Sequence, residues 1–556
     1  MLLASCGGTK SGGSAEASTK PTSKDGETGL KEAGKPVRGG KLIYGVEADT
    51  PGFCLPEGQL AISGMLVVRA IYDTLTVPNS KGEYVPYLAK SITPNADFTQ
   101  WTIGLRKGIK FHDGTTLDAT VVKNNLDAYR GAYPARSPLL FKFVLSNIKS
   151  ITTEGDLTVK VAMTKPWSAF PAYLYSSSRM GIMGQSQLDD PKNCGTKLVG
   201  TGPFKFDSYT PNQKLTGTAN PDYWQTAPDG KPYPYASSIE FRILPDGTVR
   251  NQALESGDIN IMHTSNAEDI SGKLLDLSNQ GKANMFVSED SAEVSFVQLN
   301  ASKPPFDDIR MRKALAMGAD RNVINEDQNN GLPTVADGPF APDSIAYLKD
   351  PGFPQYNLAE AKKLIKDYVK DGGKAEFNLT STTDPSTLRL AQLIQQKAQQ
   401  TGVKVKIIQR DQAALVNDAI GKAYQAMVFR NYPGGDPDIN YVWWYGSKTN
   451  PVNFGGYDDP VINRLLDEGR SEPDPAKRKT IYQDINREFA KQVWNIWAWY
   501  TPWAIVENKN VHGILGPPLP GADPSKPGTE STTDPEREPN TGLATAHSLL
   551  GLWISK

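Results

Sequence analysis

WTIGLRKGIKFHDGTTLDA, residues 101–119, is the most strongly patterned stretch of the sequence. Its first part predicts a strand over 101–105, because apolar residues alternate there with Thr, Gly and Arg, as on the two faces of a strand. A second short strand is predicted over 109–112, and Asp113-Gly114 then supplies a turn. From Leu117 onward the apolar residues recur at spacings of three and four, so we expect a helix after the hairpin.

This stretch closely resembles the signature of the peptide and nickel class of bacterial extracellular solute-binding proteins, family 5, which deliver ligands to ATP-driven ABC importers. Five further blocks are similar to that family: YVPYLA at 84–89, LVGTGPF at 198–204, NPDYW at 220–224, SGDIN at 256–260 and PFDDIRMRKAL at 305–315. The resemblance implies an α/β, two-lobed periplasmic-binding-protein-like fold (class II, cluster C) with an extra subdomain inserted in the first lobe.

The chain of 556 residues is too long for one ordinary core, so several domains are expected. The predicted domains are a signal-peptide remnant at 1–5, a flexible linker at 6–40, a first-lobe core at 41–81, 197–302 and 504–556, an inserted subdomain at 82–196, and a second lobe at 303–503. We read the Pro-rich stretch 517–539 as a surface excursion.

The N-terminal residues Leu3-Ala4-Ser5-Cys6 resemble the lipobox of bacterial lipoproteins, in which the cysteine carries the lipid. The charged and apolar parts of a signal peptide are missing, so we expect the true start to lie upstream. No aromatic residue occurs from 7 to 40, and Gly, Ser, Thr, Lys and Glu dominate, which is typical of a flexible tether with a reach of roughly 30 Å. We therefore expect a lipid-anchored protein on the outer face of the cytoplasmic membrane.

The composition argues against several classes of function. A net charge of −1, from 60 basic and 61 acidic residues, offers no field for nucleic acid or an anionic membrane surface. The 4 His are scattered and there are only 3 Cys, so neither a metal site nor a cofactor is expected. No catalytic spacing is present, so we expect a binding protein; a secreted hydrolase is the competing class and a structural adhesin the third.

Cys54 and Cys194 are an even pair in a chain that we expect to be exported. We predict a disulfide between them, with two reduced, buried cysteines as the alternative.

The candidate ligand loop is FRNYPGGDPDINYVWWY at 429–445, where a predicted strand runs into a Pro- and Gly-rich loop. Asp436-Pro-Asp438 resembles the D-P-D element of the family. Peptide-binding members tend to carry an Asp three residues earlier, which pairs with the amino terminus of the ligand, whereas this chain has Pro433. A peptide is our first prediction for the ligand; an oligosaccharide or another uncharged ligand, stacked on aromatic rings, is the alternative.

The candidate ligand contacts share places in the predicted cleft loops: Phe53, Thr264, Tyr432, Asp436, Trp443, Trp444 and Asn453. The aromatic members of this set could equally pack in a core. We expect a monomer whose two lobes close on the ligand and whose closed form is recognised by the membrane permease of the importer.

Overall fold

The computed structural model describes residues 34–50, 52–289, 293–431, 434–521 and 547–555. Cys6, Tyr432 and most of the Pro-rich stretch lie outside these ranges. The strands of the described residues, β1–β20 in chain order, are Lys41–Val46, Thr76–Pro78, Tyr84–Pro86, Ala89–Pro94, Gln100–Leu105, Ile148–Glu154, Thr158–Met163, Phe204–Thr210, Lys214–Ala219, Ser238–Ile243, Ile261–Thr264, Ala283–Ser288, Val294–Leu299, Glu376–Thr382, Lys404–Arg410, Ala426–Asn431, Asn495–Tyr500, Trp503–Asn508, Val511–His512 and Trp553–Ile554.

The helices of the same residues, α1–α16 in chain order, are Ile62–Ile71, Ala119–Arg130, Lys142–Leu145, Phe170–Tyr173, Gln185–Leu188, Gly247–Ser256, Ala267–Asp269, Leu275–Asn279, Ile309–Gly318, Arg321–Asn329, Leu358–Lys370, Pro385–Gln400, Gln412–Ile420, Tyr441–Trp444, Pro460–Ser471 and Pro475–Gln492. Across the described ranges, no helix combines the length and the apolar character that a membrane crossing needs.

The first lobe is built on a seven-stranded sheet of order β12-β18-β11-β1-β10-β9-β8. β1 lies at its centre and runs parallel to both β10 and β11. Helix α6 connects β10 to β11, as expected of a mixed sheet with helices on its faces. The carboxyl ends of β1 and β11 therefore lie at the same edge of the sheet.

The second lobe is built on a five-stranded sheet of order β15-β14-β16-β13-β17. β14 runs parallel to β15 and β16, while β13 is antiparallel to β16 and β17. The predicted domain limits stay a prediction, but β13 pairs in this sheet although the predicted limit at residue 302 gives it to the first lobe. These pairings favour a limit between the lobes after β12 and before β13.

The inserted subdomain contains a four-stranded antiparallel sheet of order β4-β5-β7-β6. The opening strand of the sequence pattern is confirmed as β5, but the predicted second strand at 109–112 is wrong. Both edges of β5 are already paired, with β4 and β7, so no edge is left for a hairpin partner. Residues 109–117 instead fold back on themselves, and the amide of Leu117 donates to the carbonyl of Ile109 at 2.9 Å.

The helix predicted after the turn is confirmed as α2. The Asp118 carboxylate accepts from the amide of Val121 at 2.9 Å and so caps its first turn.

The disulfide predicted between Cys54 and Cys194 is confirmed, with 5.0 Å between the two Cα atoms. It joins the loop after β1 to the end of the inserted subdomain. The last residues of the predicted linker also lie against the first lobe, because the Arg38 guanidinium pairs with the Asp229 carboxylate at 2.6 Å.

Candidate functional site

A hydrogen bond joins the carboxyl end of a strand in one sheet to that of a strand in the other. Nη1 of Arg430, at the end of β16 in the second lobe, donates to Oγ of Ser265, just after β11 in the first lobe, at 2.9 Å. Ligand sites of open α/β sheets lie at the carboxyl ends of parallel strands. We call the residues Glu47, Thr264, Ser265, Glu293 and Arg430 the cleft floor.

Glu47 is the centre of the first-lobe part of the cleft floor. Its Oε1 accepts from Nη2 of Arg250 at 3.2 Å, from Oγ1 of Thr264 at 3.0 Å and from the amide of Ser265 at 2.8 Å. Burial acts to raise the pKa of Glu47, but the charges of Arg250 and Arg430 outweigh it and lower that pKa. Glu47 is therefore held as a carboxylate, and Thr264 helps to position it.

Glu293 lies where the chain crosses from the first sheet to the second. Its carbonyl accepts from the amide of Thr501, which lies between β17 of the second lobe and β18 of the first, at 2.7 Å. The side chain is 12% exposed, and Oε2 lies 3.7 Å from Nη1 of Arg430, whose side chain is 34% exposed. Burial raises the pKa of Glu293 and the charge of Arg430 only partly offsets it, so this carboxylate is less well stabilised than Glu47.

A second set of contacts joins the inserted subdomain to the second lobe; we call Trp167, Tyr173, Asp438 and Arg470 the interlobe clasp. Oδ2 of Asp438 accepts from Nε1 of Trp167 at 2.7 Å, and its backbone carbonyl accepts from the Tyr173 hydroxyl at 2.7 Å. Nε of Arg470 donates to Oδ1 of Asp438 at 3.1 Å. The guanidinium lies 4.4 Å from the Trp167 ring centre, so the ion pair is covered by an aromatic ring of the other body.

Asp436, the predicted anion of the ligand site, forms a bidentate ion pair with Arg478 at 2.8 and 3.0 Å. It also accepts from the amide of Asp438 at 2.8 Å and so caps the single helical turn Pro437–Asn440. In this arrangement the carboxylate holds the loop that carries Asp438. Its role in ligand binding stays a prediction.

The two tryptophans of the predicted ligand loop differ in their surroundings. Trp444 is 3% exposed, donates from Nε1 to Oδ1 of Asn440 at 2.8 Å and packs against Trp497 in the second-lobe core. Trp443 is half-buried beside Phe454, and its enclosed Nε1 has no hydrogen-bond partner among the described residues. Trp443 is therefore the better placed of the two to contact a ligand.

Asn453 and Phe53 lie in packed surroundings. Nδ2 of the fully buried Asn453 donates to the carbonyl of Tyr445 at 3.0 Å. The ring of Phe53 is buried edge-on against Tyr209, with 5.1 Å between ring centres. Of the described members of the predicted set, only Thr264 belongs to the cleft floor, and Tyr432 lies outside the described residues.

Sequence reasoning missed Glu47, Glu293 and Arg430. Glu47 follows β1, Glu293 precedes β13 and Arg430 lies at the end of β16, and alternation could have assigned these strands. The available signal was the edge rule, by which ligand sites lie at the carboxyl ends of parallel strands. Within the described ranges, no group of three or more His, Cys, Asp and Glu side chains is arranged to hold a metal ion.

Comparison with known proteins shows the family of the chain. The model of the bacterial extracellular solute-binding proteins, family 5, matches residues 83–453. The glutathione-binding protein GsiB of Pectobacterium atrosepticum is 25% identical over 458 residues, which are 80% of this chain and 84% of that protein.

Two solved structures share the fold. The ABC transporter-associated periplasmic binding protein DppA of Helicobacter pylori, in complex with the peptide STSA, has a TM-score of 0.80 at 21% identity over 94% of this chain and 99% of that one. AgaA of A. tumefaciens R10, in complex with agropinic acid, has a TM-score of 0.77 at 24% identity over 93% and 99%. The α/β fold with two lobes is thereby confirmed, and the chain belongs to the bacterial extracellular solute-binding proteins of family 5.

Proposed function

We propose that this protein captures a peptide between its two lobes, at the cleft floor, and delivers it to the membrane permease of an ABC importer. The observation that carries the proposal is the Ser265–Arg430 hydrogen bond, which brings charged side chains of both lobes to one place. The glutathione-binding relative and the peptide complex of the fold neighbour support a peptide as ligand.

A peptide suits the cleft floor because the floor carries both signs of charge. The half-buried guanidinium of Arg430 can pair with a ligand carboxylate, and the carboxylates can pair with an ammonium group. The half-buried indole of Trp443, in the second lobe, offers a hydrogen-bond donor without a partner among the described residues and an aromatic face. A few placed polar groups next to apolar surface are typical of small-ligand sites.

A non-peptide ligand is the second candidate. It is favoured by Pro433, which stands where peptide-binding members tend to carry an aspartate. The fold neighbour in complex with agropinic acid supports it too. In this case the transport role is unchanged, and the ligand is an oligosaccharide or another small polar molecule.

The anchoring and the oligomeric state belong to the proposal as well. Cys6 carries the lipid, and the residues after it tether a monomer to the outer face of the cytoplasmic membrane. Mass spectrometry of the membrane-extracted protein tests this: a lipid-modified peptide beginning at Cys6 is expected, and an unmodified Cys6 contradicts it.

Ligand capture closes the lobes. The interlobe clasp lies on the side of the inserted subdomain, so its contacts form when the second lobe approaches. A ligand that touches both lobes then shifts the population toward the closed form.

The test combines binding with shape. The protein is titrated with mixed tripeptides, glutathione and agropinic acid by calorimetry, and small-angle scattering is recorded with and without each one. We expect binding of at least one peptide together with a smaller radius of gyration. Tight binding with an unchanged radius contradicts closure, and turnover of a bound compound favours the hydrolase.

A further inference from the structure

One oxygen of the Glu293 carboxylate has no hydrogen-bond donor among the described residues. Oε2 is enclosed, yet no described residue donates to it with normal geometry. Arg430 lies at 3.7 Å, beyond hydrogen-bond distance. Trp503 is close enough to favour the charged form of Glu293, but its own Nε1 also lacks a hydrogen bond of normal geometry. An enclosed carboxylate oxygen without a donor is costly, so a donor from outside the chain would stabilise it.

The charges around Glu293 indicate which kind of donor fits. Three carboxylates, those of Glu47, Glu293 and Asp384, act on the guanidinium of Arg430 and raise its pKa. Arg250 is already engaged, because it donates to Glu47 at 3.2 Å. The carboxylates that face Arg430 outnumber it, so a cationic group in the cleft gains more than a neutral one.

Arg179 also acts on Glu293, but its guanidinium is directed elsewhere. Nε and Nη2 donate to the carbonyl of Leu60 at 3.1 and 2.9 Å. It thus lowers the pKa of Glu293 from a distance without satisfying Oε2.

We propose that Glu293 binds the ammonium group of the transported ligand through Oε2 and so selects ligands that carry a primary amine. This assignment rests on the proposed function, since it takes the cleft floor as the ligand site. The ammonium group of a peptide ligand is its amino terminus or a lysine side chain, and the two share the chemistry that the carboxylate recognises. Arg430, whose Nη1 lies 3.7 Å from the same oxygen, favours the charged form of Glu293.

A purely structural role for Glu293 makes a different prediction. If Glu293 serves only to balance Arg430, its replacement changes the affinity for all peptides by one common factor. A role in ammonium recognition changes the affinity only for those that carry the amine.

The experiment measures the affinities of the full-length protein and of Glu293→Gln for three probes by calorimetry. These are mixed tripeptides with free amino termini, the same peptides with acetylated amino termini, and lysine tripeptides acetylated only on the side chain. Gln keeps the shape of the side chain and removes its charge. Glu154→Gln, at an exposed carboxylate of the inserted subdomain, is the matched control. Asp384→Asn tests the rival carboxylate.

The wild type and Glu154→Gln should bind the free peptides about tenfold more tightly than the acetylated ones, the contribution of one charge-assisted hydrogen bond. Glu293→Gln should bind both sets alike, at the affinity that the wild type has for the acetylated set. If side-chain acetylation, and not acetylation of the terminus, abolishes the preference, the lysine ammonium is the group bound.

Three results overturn the assignment. The first is that Glu293→Gln still binds free peptides more tightly than acetylated ones. The second is that this preference is lost in Asp384→Asn and not in Glu293→Gln. The third is equal binding of free and acetylated peptides by the wild type, which leaves the proposed function intact. If no peptide binds at all, the peptide function fails together with the assignment. Melting of the unliganded proteins checks folding, since Glu293→Gln should melt no lower than the wild type.

Discussion

Nε1 of Trp167 donates a 2.7 Å hydrogen bond to Oδ2 of Asp438, and the two residues belong to different bodies of the protein. Trp167 lies in the inserted subdomain and Asp438 follows β16 in the second lobe. Both side chains are fully buried. The bond therefore exists only while these bodies are in contact, and it can be removed without touching the cleft floor.

Trp167→Phe should weaken ligand binding, because it removes this bond while keeping most of the ring. Since a hydrogen bond to a charged group is lost only in the closed form, we expect affinity to fall about tenfold. Calorimetry and scattering measure affinity and closure. Trp101→Phe is the matched control, because Nε1 of Trp101 donates to the carbonyl of Trp167 within the same subdomain. Equal losses of affinity in the two variants would contradict a role for the clasp in closure.

Asp438→Asn should destabilise the second lobe. Arg470 is 5% exposed and would remain buried without its counter-charge, at a cost of about 3–5 kcal/mol in the free energy of unfolding. Urea denaturation measures this difference. The double variant Asp438→Asn with Arg470→Met should recover part of it. Glu468→Gln, which breaks the exposed pair with Arg464, should cost no more than about 0.5 kcal/mol.

Loss of the Cys54–Cys194 disulfide should lower stability. The bond closes a loop with a sequence separation of 140, for which the chain-entropy model gives about 2–5 kcal/mol. Calorimetric melting of the wild type with and without reductant, beside Cys54→Ser with Cys194→Ser, measures the effect. Reductant should lower the melting temperature of the wild type and leave that of the double variant unchanged. A wild type insensitive to full reduction would contradict the prediction.

Acid should destabilise the fold through buried histidines. Burial lowers the pKa of both His112 and His263 from 6.5 to about 4. Between these values the unfolded chain binds more protons than the folded one, so stability is full above pH 6.5 and falls as pH drops toward 4. In His112→Asn the loss over that window should be smaller by roughly 1–3 kcal/mol.

Asp73 provides a control of opposite sign for the pH experiment. Burial raises its pKa to about 6, so between pH 4 and 6 the folded chain holds the extra proton and Asp73 favours folding at the lower pH. Asp73→Asn should therefore make the acid loss steeper, as followed by urea denaturation at several pH values. The same slope in both variants would contradict the assignment.

Local features were predictable from the sequence. Asn357 caps α11 as its position before Glu360 indicates, with its Oδ1 accepting from the amide of Glu360 at 3.0 Å. The strand β5 was predictable from the alternation of apolar and polar residues. The helix cap and the strand both depend on residues that are close in sequence. The prediction of a strand at 109–112 was wrong because β5 pairs with β4 and β7, and alternation carries no information about strand partners.

The edge rule for parallel strands could mark residues at strand ends as candidates, but it could not predict that the residues of the cleft floor meet. Glu47, Glu293 and Arg430 are separated by more than a hundred residues each, and only the pairing of two sheets brings them together. The aromatic residues of the candidate ligand loop predicted ligand contacts there, but Trp444 packs inside the second lobe. The presence of an aromatic residue in a loop does not show whether its side chain packs in the core or faces the cleft.

The contacts of Thr501 have a mechanical consequence. Its amide, between β17 and β18, donates to the carbonyl of Glu293, just before β13, and its hydroxyl lies 2.9 Å from that of Ser295. Because β13 and β17 belong to the second-lobe sheet and β18 to the first-lobe sheet, these bonds lie at the boundary of the two lobes. We therefore expect the lobes to bend about an axis near these bonds, and Glu293 to move least as the cleft opens.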